Sequence, residues 1–183
     1  GVSHISEDRM TYGAVADASV EENLISDRFR KKEYNRGLLF NLKKLAELSD
    51  RLIRQYLIKC DDRDQNVGML SGGNIQKVVV AREFSSSPRL IVANQPTRGI
   101  DVGASEFIRK KLVELRDNGA AILLISADLN EILEVSDSII VMNSGEIAAY
   151  FPDHRDVTEE ELGKYMLGVQ EMTAEEVGRV AYE

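Results

Sequence analysis

A Ser-Gly-Gly turn near the middle of the chain has the chemistry of a phosphate-binding loop. Ser71 precedes Gly72 and Gly73, and the residues that follow predict a helix over 75–84. Because glycine has no Cβ, the backbone N–H groups of this turn can approach an anion closely. The positive end of the helix dipole lies at the same place, and Ser71 adds a hydroxyl donor. The turn therefore indicates a phosphate site, although a Gly-Gly loop that only caps a helix has the same residues.

The elements that must position this turn follow from the pattern of apolar residues. Short apolar runs over residues 89–93 and 120–126 predict buried strands, with helices before, between and after them. Buried strands that alternate with helices indicate a parallel sheet with helical crossovers, so the predicted fold class is α/β. The remaining predicted elements are helices over residues 37–60, 75–84, 103–118, 128–135 and 158–167, and a β-hairpin over residues 138–151.

Composition argues against several classes of site and partner. The chain of 183 residues has a formal net charge of −8 and a pI near 4.9, which argues against binding nucleic acid through bulk positive charge. Cys60 is the only cysteine, so we predict neither an intramolecular disulfide nor a zinc site of the usual Cys/His spacing. We predict no other metal site either. No apolar run approaches the ~20 residues that span a bilayer, and no signal peptide opens the chain, which favours the cytosol.

The segments whose residues could take part in binding or catalysis follow one another in a definite order along the chain. They are residues 5–9 and 19–24, then Leu70-Ser71-Gly72-Gly73, then Leu90–Gln95, Arg98-Gly99-Ile100-Asp101, residues 123–128 and residues 137–147. In this order they resemble the nucleotide-binding domain of ABC transporters. Residues 5–9 correspond to the Q-loop region, residues 19–24 to the helical subdomain and residues 70–73 to the signature motif. Residues 90–95 correspond to the Walker B strand and its end, and residues 98–101 to the D-loop. Residues 123–128 correspond to the strand entering the switch loop, and residues 137–147 to the closing hairpin.

This resemblance implies a fold and a domain organisation. The fold would be a partial P-loop NTPase (RecA-like) parallel sheet with the ABC helical subdomain and a C-terminal β-hairpin plus helix. Residues 1–183 would form the C-terminal part of one nucleotide-binding domain. The helical and signature subdomain would occupy residues 20–88, the core sheet residues 89–151, and the C-terminal helix and tail residues 152–183.

A finer similarity indicates a branch of the family. Glu7-Asp8-Arg9, residues 95–99 and Tyr165-Met166-Leu167-Gly168 are similar to the second ATP-binding half of tandem importers for simple sugars and nucleosides. The resemblance then implies ATP and Mg²⁺ as cofactors of the intact domain, and a place at the cytoplasmic face of the plasma membrane. It implies as partners an opposing nucleotide-binding half, transmembrane permease subunits and, indirectly, an extracytoplasmic solute-binding protein. A soluble ABC protein that acts on DNA or ribosomes is the less favoured alternative, because the 165–168 ending and the acidic charge weigh against it.

The positions that the family uses for catalysis carry other residues here. The Walker B strand normally ends in Asp-Glu, whereas this chain has Asn94 and Gln95, and the switch histidine position is Ala127. An amide oxygen can still orient a water molecule, but it is a poor base and adds no negative charge against Mg²⁺. Glu7 replaces the Q-loop glutamine, and Ala127 has no hydrogen-bonding side chain. We therefore predict that hydrolysis at this chain's own site is slow or absent.

The signature motif would serve the opposing half, since in this family it caps the γ-phosphate of ATP that the other domain binds. The nucleotide-binding residues implied by the resemblance are Leu70, Ser71, Gly72, Gly73, Asn74, Gln76, Glu7 and Asp101. The alternative is a regulatory or structural ATP-binding half that shapes the composite site without hydrolysis of its own.

A phosphate loop of the G-x-x-x-x-G-K-[ST] type is absent from the sequence. In this family that loop precedes the Q-loop, with which the chain begins, so we expect the chain to be a piece of a longer protein. The isolated chain is accordingly predicted to lack ATPase activity and to bind nucleotide weakly or not at all. Missing neighbouring strands would leave sheet edges unpaired, which makes self-association a further expectation.

Overall fold

The computed structural model describes residues 1–28, 31–36, 39–153 and 155–182. In chain order the strands are β1 (Val2–Ile5), β2 (Asn35–Arg36), β3 (Leu39–Phe40), β4 (Leu90–Asn94), β5 (Ala121–Ile125), β6 (Ile139–Asn143) and β7 (Glu146–Phe151). The helices are α1 (Val20–Ile25), α2 (Leu42–Gln55), α3 (Gly72–Phe84), α4 (Val102–Asp117), α5 (Leu129–Val135), α6 (Glu159–Met166) and α7 (Ala174–Tyr182).

Two compact units make up the chain, Gly1–Ile125 and Ser126–Glu183. Each has a hydrophobic core of its own, as expected when one side of each strand or helix must be removed from water. The domain boundaries predicted after residues 88 and 151 remain predictions. No helix in the described ranges is long and apolar enough to cross a membrane.

A parallel three-stranded sheet in the order β1-β4-β5 forms the centre of the first unit. Ile91 and Ala93 of β4 are fully buried, because β4 is the middle strand and helices pack against it. The α/β class predicted from the sequence is confirmed. Since the strands are parallel, their carboxyl ends meet at one edge of the sheet, where the chain leaves β1 and β4.

Helix α3 begins at the Ser-Gly-Gly turn and runs through the core of the first unit. Its interior residues are buried on nearly every side, including Ile75, Val78, Val79, Val80 and Phe84. The run Val78–Ala81 places apolar side chains on every side of the helix, so this part of α3 lies inside the protein rather than on its surface. The turn at its start is therefore held by a rigid, buried element.

The helix predicted over residues 37–60 is shorter at both ends than the sequence pattern indicated. Strands β2 and β3 pair with each other before it, and Asn41 accepts a hydrogen bond from the Lys44 N–H at the start of α2. Leu57 has a φ of 52°, a left-handed conformation that ends the helix. The apolar spacing continued through these residues because Tyr56 and Ile58 pack into the same core. Gly37 and Leu38 of the predicted helix lie outside the described residues.

The second unit consists of the predicted hairpin and the helices around it. Strands β6 and β7 form a separate antiparallel sheet with an irregularity between Val141 and Met142. Phe151 of β7 packs edge-on against Tyr165 of α6, with ring centroids 5.6 Å apart. The predicted hairpin and the helix predicted over residues 158–167 are confirmed, whereas the sequence pattern did not predict α7.

Candidate functional site

The Ser-Gly-Gly turn is an exposed helix start. The Ser71 hydroxyl accepts hydrogen bonds from the backbone N–H of Asn74 at 3.4 Å and from its side-chain amide at 2.9 Å. Leu70 packs against the core, which fixes the approach to the turn. Because the first N–H groups of a helix have no acceptor within it and Ser71 accepts that of Asn74, the N–H groups of Gly72 and Gly73 remain for a phosphate oxygen or water.

The second glycine of the turn is required by its neighbours. A Cβ placed on Gly73 would lie 2.6 Å from Oδ2 of Asp101 and 3.2 Å from Cβ of Ala104. Asp101 is the N-cap of α4, because its Oδ1 accepts the Ala104 N–H at 2.9 Å. The starts of α3 and α4 therefore pack together, with Asp101 beside the turn.

Gln76 has a different place from the one predicted. Its side chain is 2% exposed, and Nε2 donates to the carbonyl oxygen of Pro96 at 2.7 Å. Within the described part of the chain, its Oε1 has no hydrogen-bond partner. This burial argues against the predicted contact of Gln76 with a nucleotide on an opposing domain. The residue instead joins α3 to the turn that follows β4.

The predicted catalytic positions of the first unit lie at the carboxyl edge of the sheet. Asn94 ends β4, and Gln95 follows it with a φ of 52°. The backbone N–H of Gln95 donates to the carbonyl oxygen of Ile125 at 2.8 Å. Such a left-handed conformation is uncommon for a residue with a long side chain, and strained positions of this kind cluster at functional sites. The exposed carboxylate of Glu7 forms an ion pair with Arg98.

Arg9 is a site residue to which the sequence reasoning gave no role. Its Nη1 donates to the carbonyl oxygen of Arg98 at 2.8 Å, and its Nη2 to that of Gly99 at 3.1 Å. The same Nη2 would lie 3.0 Å from a Cβ placed on Gly72. Arg9 therefore touches both the D-loop and the signature turn. Its acceptors are backbone carbonyls, for which a sequence has no signal.

The short π-helical turn Arg9–Gly13 holds the Arg9 backbone. Asp8 caps this turn by accepting hydrogen bonds from the backbone N–H groups of Met10 and Thr11 and from the Thr11 hydroxyl at 2.6 Å. The bond from the Thr11 hydroxyl is the largest cause that lowers the pKa of Asp8 below its ordinary value, because it favours the charged carboxylate. The segment after β1 is thus locally ordered by its own side chains.

Ala127 belongs to the second compact unit, where it is exposed directly before α5. A methyl side chain can neither donate to a phosphate oxygen nor accept a proton. Asp128, the next residue, caps α5 by accepting the N–H groups of Asn130 and Glu131. The polar chemistry of this segment therefore serves the local helix.

The described residues have suitable groups for binding a phosphate but not for binding Mg²⁺. The turn fits a phosphate, since it offers the exposed hydroxyl of Ser71 and first-turn amides. The end of β4 does not fit Mg²⁺, because Asn94 and Gln95, the last residue of the strand and the next one, offer only neutral amide oxygens. Among the residues that the structure describes, no group of three or more His, Cys, Asp or Glu side chains could hold a metal ion. No step on this chain is assigned to Mg²⁺.

Comparison with known sequences gives extensive similarity to one kind of protein. The chain is 40% identical over 179 residues to the guanosine import ATP-binding protein NupO of Bacillus subtilis. The matched residues cover 98% of this chain and 34% of that relative. It is 40% identical over 176 residues to the glucose import ATP-binding protein TsgD13 of Haloferax volcanii, covering 95% of the chain and 32% of the relative. The chain thus spans about a third of the length of the curated relatives it matches. No protein-family model matches it.

Comparison with solved structures gives the same fold. A dimeric bacterial ABC transporter cassette superposes with a TM-score of 0.66 at 20% identity, over 81% of this chain and 61% of that one. A second ATP-binding cassette of an ABC transporter superposes with a TM-score of 0.65 at 21% identity, over 100% of this chain and 69% of the other. The predicted P-loop NTPase type of α/β fold is therefore confirmed.

Proposed function

The chain belongs to the ATP-binding cassette family, and on that premise we propose that it is part of the ATP-binding subunit of an importer for simple sugars or nucleosides. The relatives that support this proposal are ATP-binding proteins named for the import of guanosine, glucose, nucleosides or ribose. The subunit would couple ATP binding and hydrolysis to transport.

The signature turn is the observation that carries the proposal. Ser71 is exposed at the start of a buried helix, beside Asp101 and the glycines that allow close backbone approach. In the proposal, the Ser71 hydroxyl and the first-turn amides of α3 bind the γ-phosphate of ATP held by the opposing cassette. The turn would exclude water from that side and stabilise the negative charge that develops on the phosphate oxygens.

The degenerate positions support an asymmetric pair of sites. Asn94, Gln95 and Ala127 provide neither a carboxylate base nor an imidazole, so the site on this chain's own side would hydrolyse ATP slowly or not at all. The site completed by the Ser71 turn would carry the turnover. The alternative, a regulatory half without hydrolysis, is favoured by the same neutral residues and differs only in whether turnover depends on this turn.

Partners and location follow from the same proposal. An opposing cassette, permease subunits and, through them, an extracytoplasmic solute-binding protein would surround the subunit at the cytoplasmic face of the membrane. The isolated 183-residue chain would show no measurable ATPase activity and weak or no affinity for Mg-ATP, because the sequence has no phosphate loop. Calorimetric titration checks this expectation, and micromolar binding would contradict it.

ATP turnover of the full-length protein that contains this chain tests the role of the turn. We expect Ser71→Ala to lower kcat at least about tenfold, because a hydrogen bond to a charged group is lost. The matched control is Thr158→Ala, since Thr158 also caps a helix through its side chain but lies in the second unit. It should cost similar stability and leave kcat unchanged.

The outcome separates the two candidate functions. Turnover that survives Ser71→Ala would favour the regulatory or structural alternative. The asymmetric pair of sites has a second test, which is replacement of the opposing cassette's Walker B glutamate by glutamine. That change should abolish turnover, and unchanged turnover would refute the assignment of hydrolysis to the composite site.

A further inference from the structure

Side chains from two other segments bind the backbone of segment 95–101, which contains the D-loop. The carbonyl oxygen of Pro96 accepts from Gln76, and those of Arg98 and Gly99 accept from Arg9, at distances of 2.7, 2.8 and 3.1 Å. Carbonyls in a turn lack the partners that a sheet or helix would give them, so these bonds fix the course of the segment. Arg9 supplies two of the three.

The geometry of Arg9 leaves it little freedom. Its own carbonyl accepts the Ala14 N–H at 2.7 Å, and a Cβ on Gly13 would lie only 3.3 Å from Cγ2 of Val79 in α3. The turn that carries Arg9 is therefore seated on the signature helix. Arg9 Nε is buried without a hydrogen-bond partner among the described residues, so the guanidinium acts through its two outer nitrogens.

We propose that Arg9 is a positioning residue that holds the D-loop and the signature turn at a fixed separation. The guanidinium group lies beside Gly72, where Nη2 would be 3.0 Å from an added Cβ, while its two outer nitrogens hold the carbonyls of Arg98 and Gly99. Ser71 and Asp101 then present one rigid surface to an opposing cassette. The inference rests on the proposed function, because the surface matters only if the turn completes a site on another domain.

A planar fork is needed for this role. Arginine can donate two hydrogen bonds at once in a fixed geometry, whereas the lysine ammonium is a single point on a flexible chain. Lysine at position 9 could reach one carbonyl but would not hold both. The ion pair between Glu7 and Arg98 joins the same two segments, but both of its side chains are about half exposed or more, so it constrains them less.

Steady-state ATP turnover of the full-length protein, with its partners, tests the proposal. Arg9→Ala should lower kcat about tenfold or more, because misplacement of a contacting group by an ångström is enough for such a loss. The KM for ATP should stay within about twofold, since Arg9 does not touch the nucleotide. Arg9→Lys should fall between Arg9→Ala and the wild type. The control, Arg155→Ala, removes an exposed arginine paired with Asp153 in the second unit and should change neither constant.

Amide hydrogen exchange of the same protein provides a readout that does not depend on the proposed function. Arg9→Ala should raise exchange at the amides of Arg98 and Asn74, which donate to the Gln95 carbonyl and the Ser71 hydroxyl, at least about tenfold and leave α6 unchanged, because two hydrogen bonds that hold these segments are lost. If Arg9→Ala fails to fold, Arg9→Lys is measured in its place, with an increase of at least about twofold expected at the same amides.

The two measurements distinguish the ways in which the inference can fail. Unchanged exchange would show that Arg9 does not hold the D-loop and the signature turn, and would overturn the proposal. Raised exchange with unchanged kcat would overturn its role in positioning, while a loss of kcat in Ser71→Ala would leave the proposed function standing. If both Arg9 variants have a higher KM and a lower kcat and also show general unfolding, Arg9 acts only in stabilising the fold, which also overturns the proposal.

Discussion

At the scale of single residues, the lack of a side chain at Gly73 matters to the site as much as the side chains around it. A side chain at Gly73 would overlap Oδ2 of Asp101 and crowd Cβ of Ala104, so Asp101, the cap of α4, would have to shift. The lack of a side chain at Gly73 thus allows the starts of α3 and α4 to approach closely. An apparently generic Gly-Gly pair thus has one member whose lack of a side chain sets the separation of two helices.

Replacement of this glycine measures that constraint. Gly73→Ala should lower the free energy of unfolding by about 1–3 kcal/mol, because its Cβ would overlap Asp101 Oδ2. Gly163→Ala is the matched control, since this helical glycine has no neighbouring atom within 4 Å of a Cβ. It should stabilise the protein by about 0.5–1 kcal/mol, because alanine favours the helix. Urea unfolding of both variants checks the prediction, and equal effects would refute it.

The Asp8 carboxylate makes the turn after β1 sensitive to acid. Its pKa is lowered chiefly by the bond from the Thr11 hydroxyl, so the folded state favours the charged form. The resulting stabilisation is fully present above the ordinary Asp pKa of 3.8 and is lost as the pH falls through the lowered value. Thr11→Val should therefore raise the pKa of Asp8 toward 3.8. A carboxyl NMR titration measures this shift, and an unchanged pKa would contradict the assigned cause.

At the scale of elements, helix starts organise the candidate site. Helix α3 begins at Ser71 and α4 begins at Asp101, and each cap residue also faces the surface proposed to meet the opposing cassette. Each side chain can satisfy a helix terminus and still lie beside a ligand, because the Ser71 hydroxyl can donate while it accepts, and capping uses only one carboxylate oxygen of Asp101. The stability and the function of these residues must therefore be separated by experiment.

Asp101 offers such a separation. Asp101→Ala should cost about 0.5–2 kcal/mol of stability through loss of the α4 cap. Asp101→Asn retains a capping oxygen and should cost much less. If turnover of the full-length protein falls in both variants, the carboxylate acts at the interface, whereas turnover that follows stability would limit Asp101 to capping.

At the scale of the whole molecule, the sheet of the first unit has an uncovered edge. In the described part of the chain, β5 pairs with β4 on one side only, and Leu123 and Ile125 are 51% and 45% exposed. An edge strand with exposed apolar side chains is a template for another strand. In the described sheet β1 is also an edge strand, but β5 exposes two large apolar side chains and β1 only Val2, so we expect self-association at β5.

Light scattering of the isolated chain checks this location. We expect the average mass to rise with concentration, and Leu123→Lys to reduce the rise because a charge on an edge opposes pairing. Leu167→Lys is the control, since Leu167 is 79% exposed but lies outside the sheet. A strict monomer at high concentration, or equal effects of the two lysines, would contradict the prediction.

The sequence by itself determined the α/β class, the order of the motifs, the capping turn that begins at Ser71 and the neutral residues at positions 94, 95 and 127; the helix itself begins at Gly72, three residues before the predicted start. These features depend on local composition and on periodicity, which a single chain displays directly. The helix predicted over 37–60 was too long, because the apolar spacing continues through Tyr56 and Ile58, which pack in the core outside the helix.

Only the tertiary structure decided that Gln76 is buried, that Gly73 faces Asp101 and that Arg9 holds the D-loop. Arg9 and its acceptors are 89 and 90 residues apart, and the acceptors are backbone carbonyls that every residue possesses. No residue type or spacing can encode such a contact. It exists because parallel strands bring the ends of β1 and β4 to the same edge of one sheet.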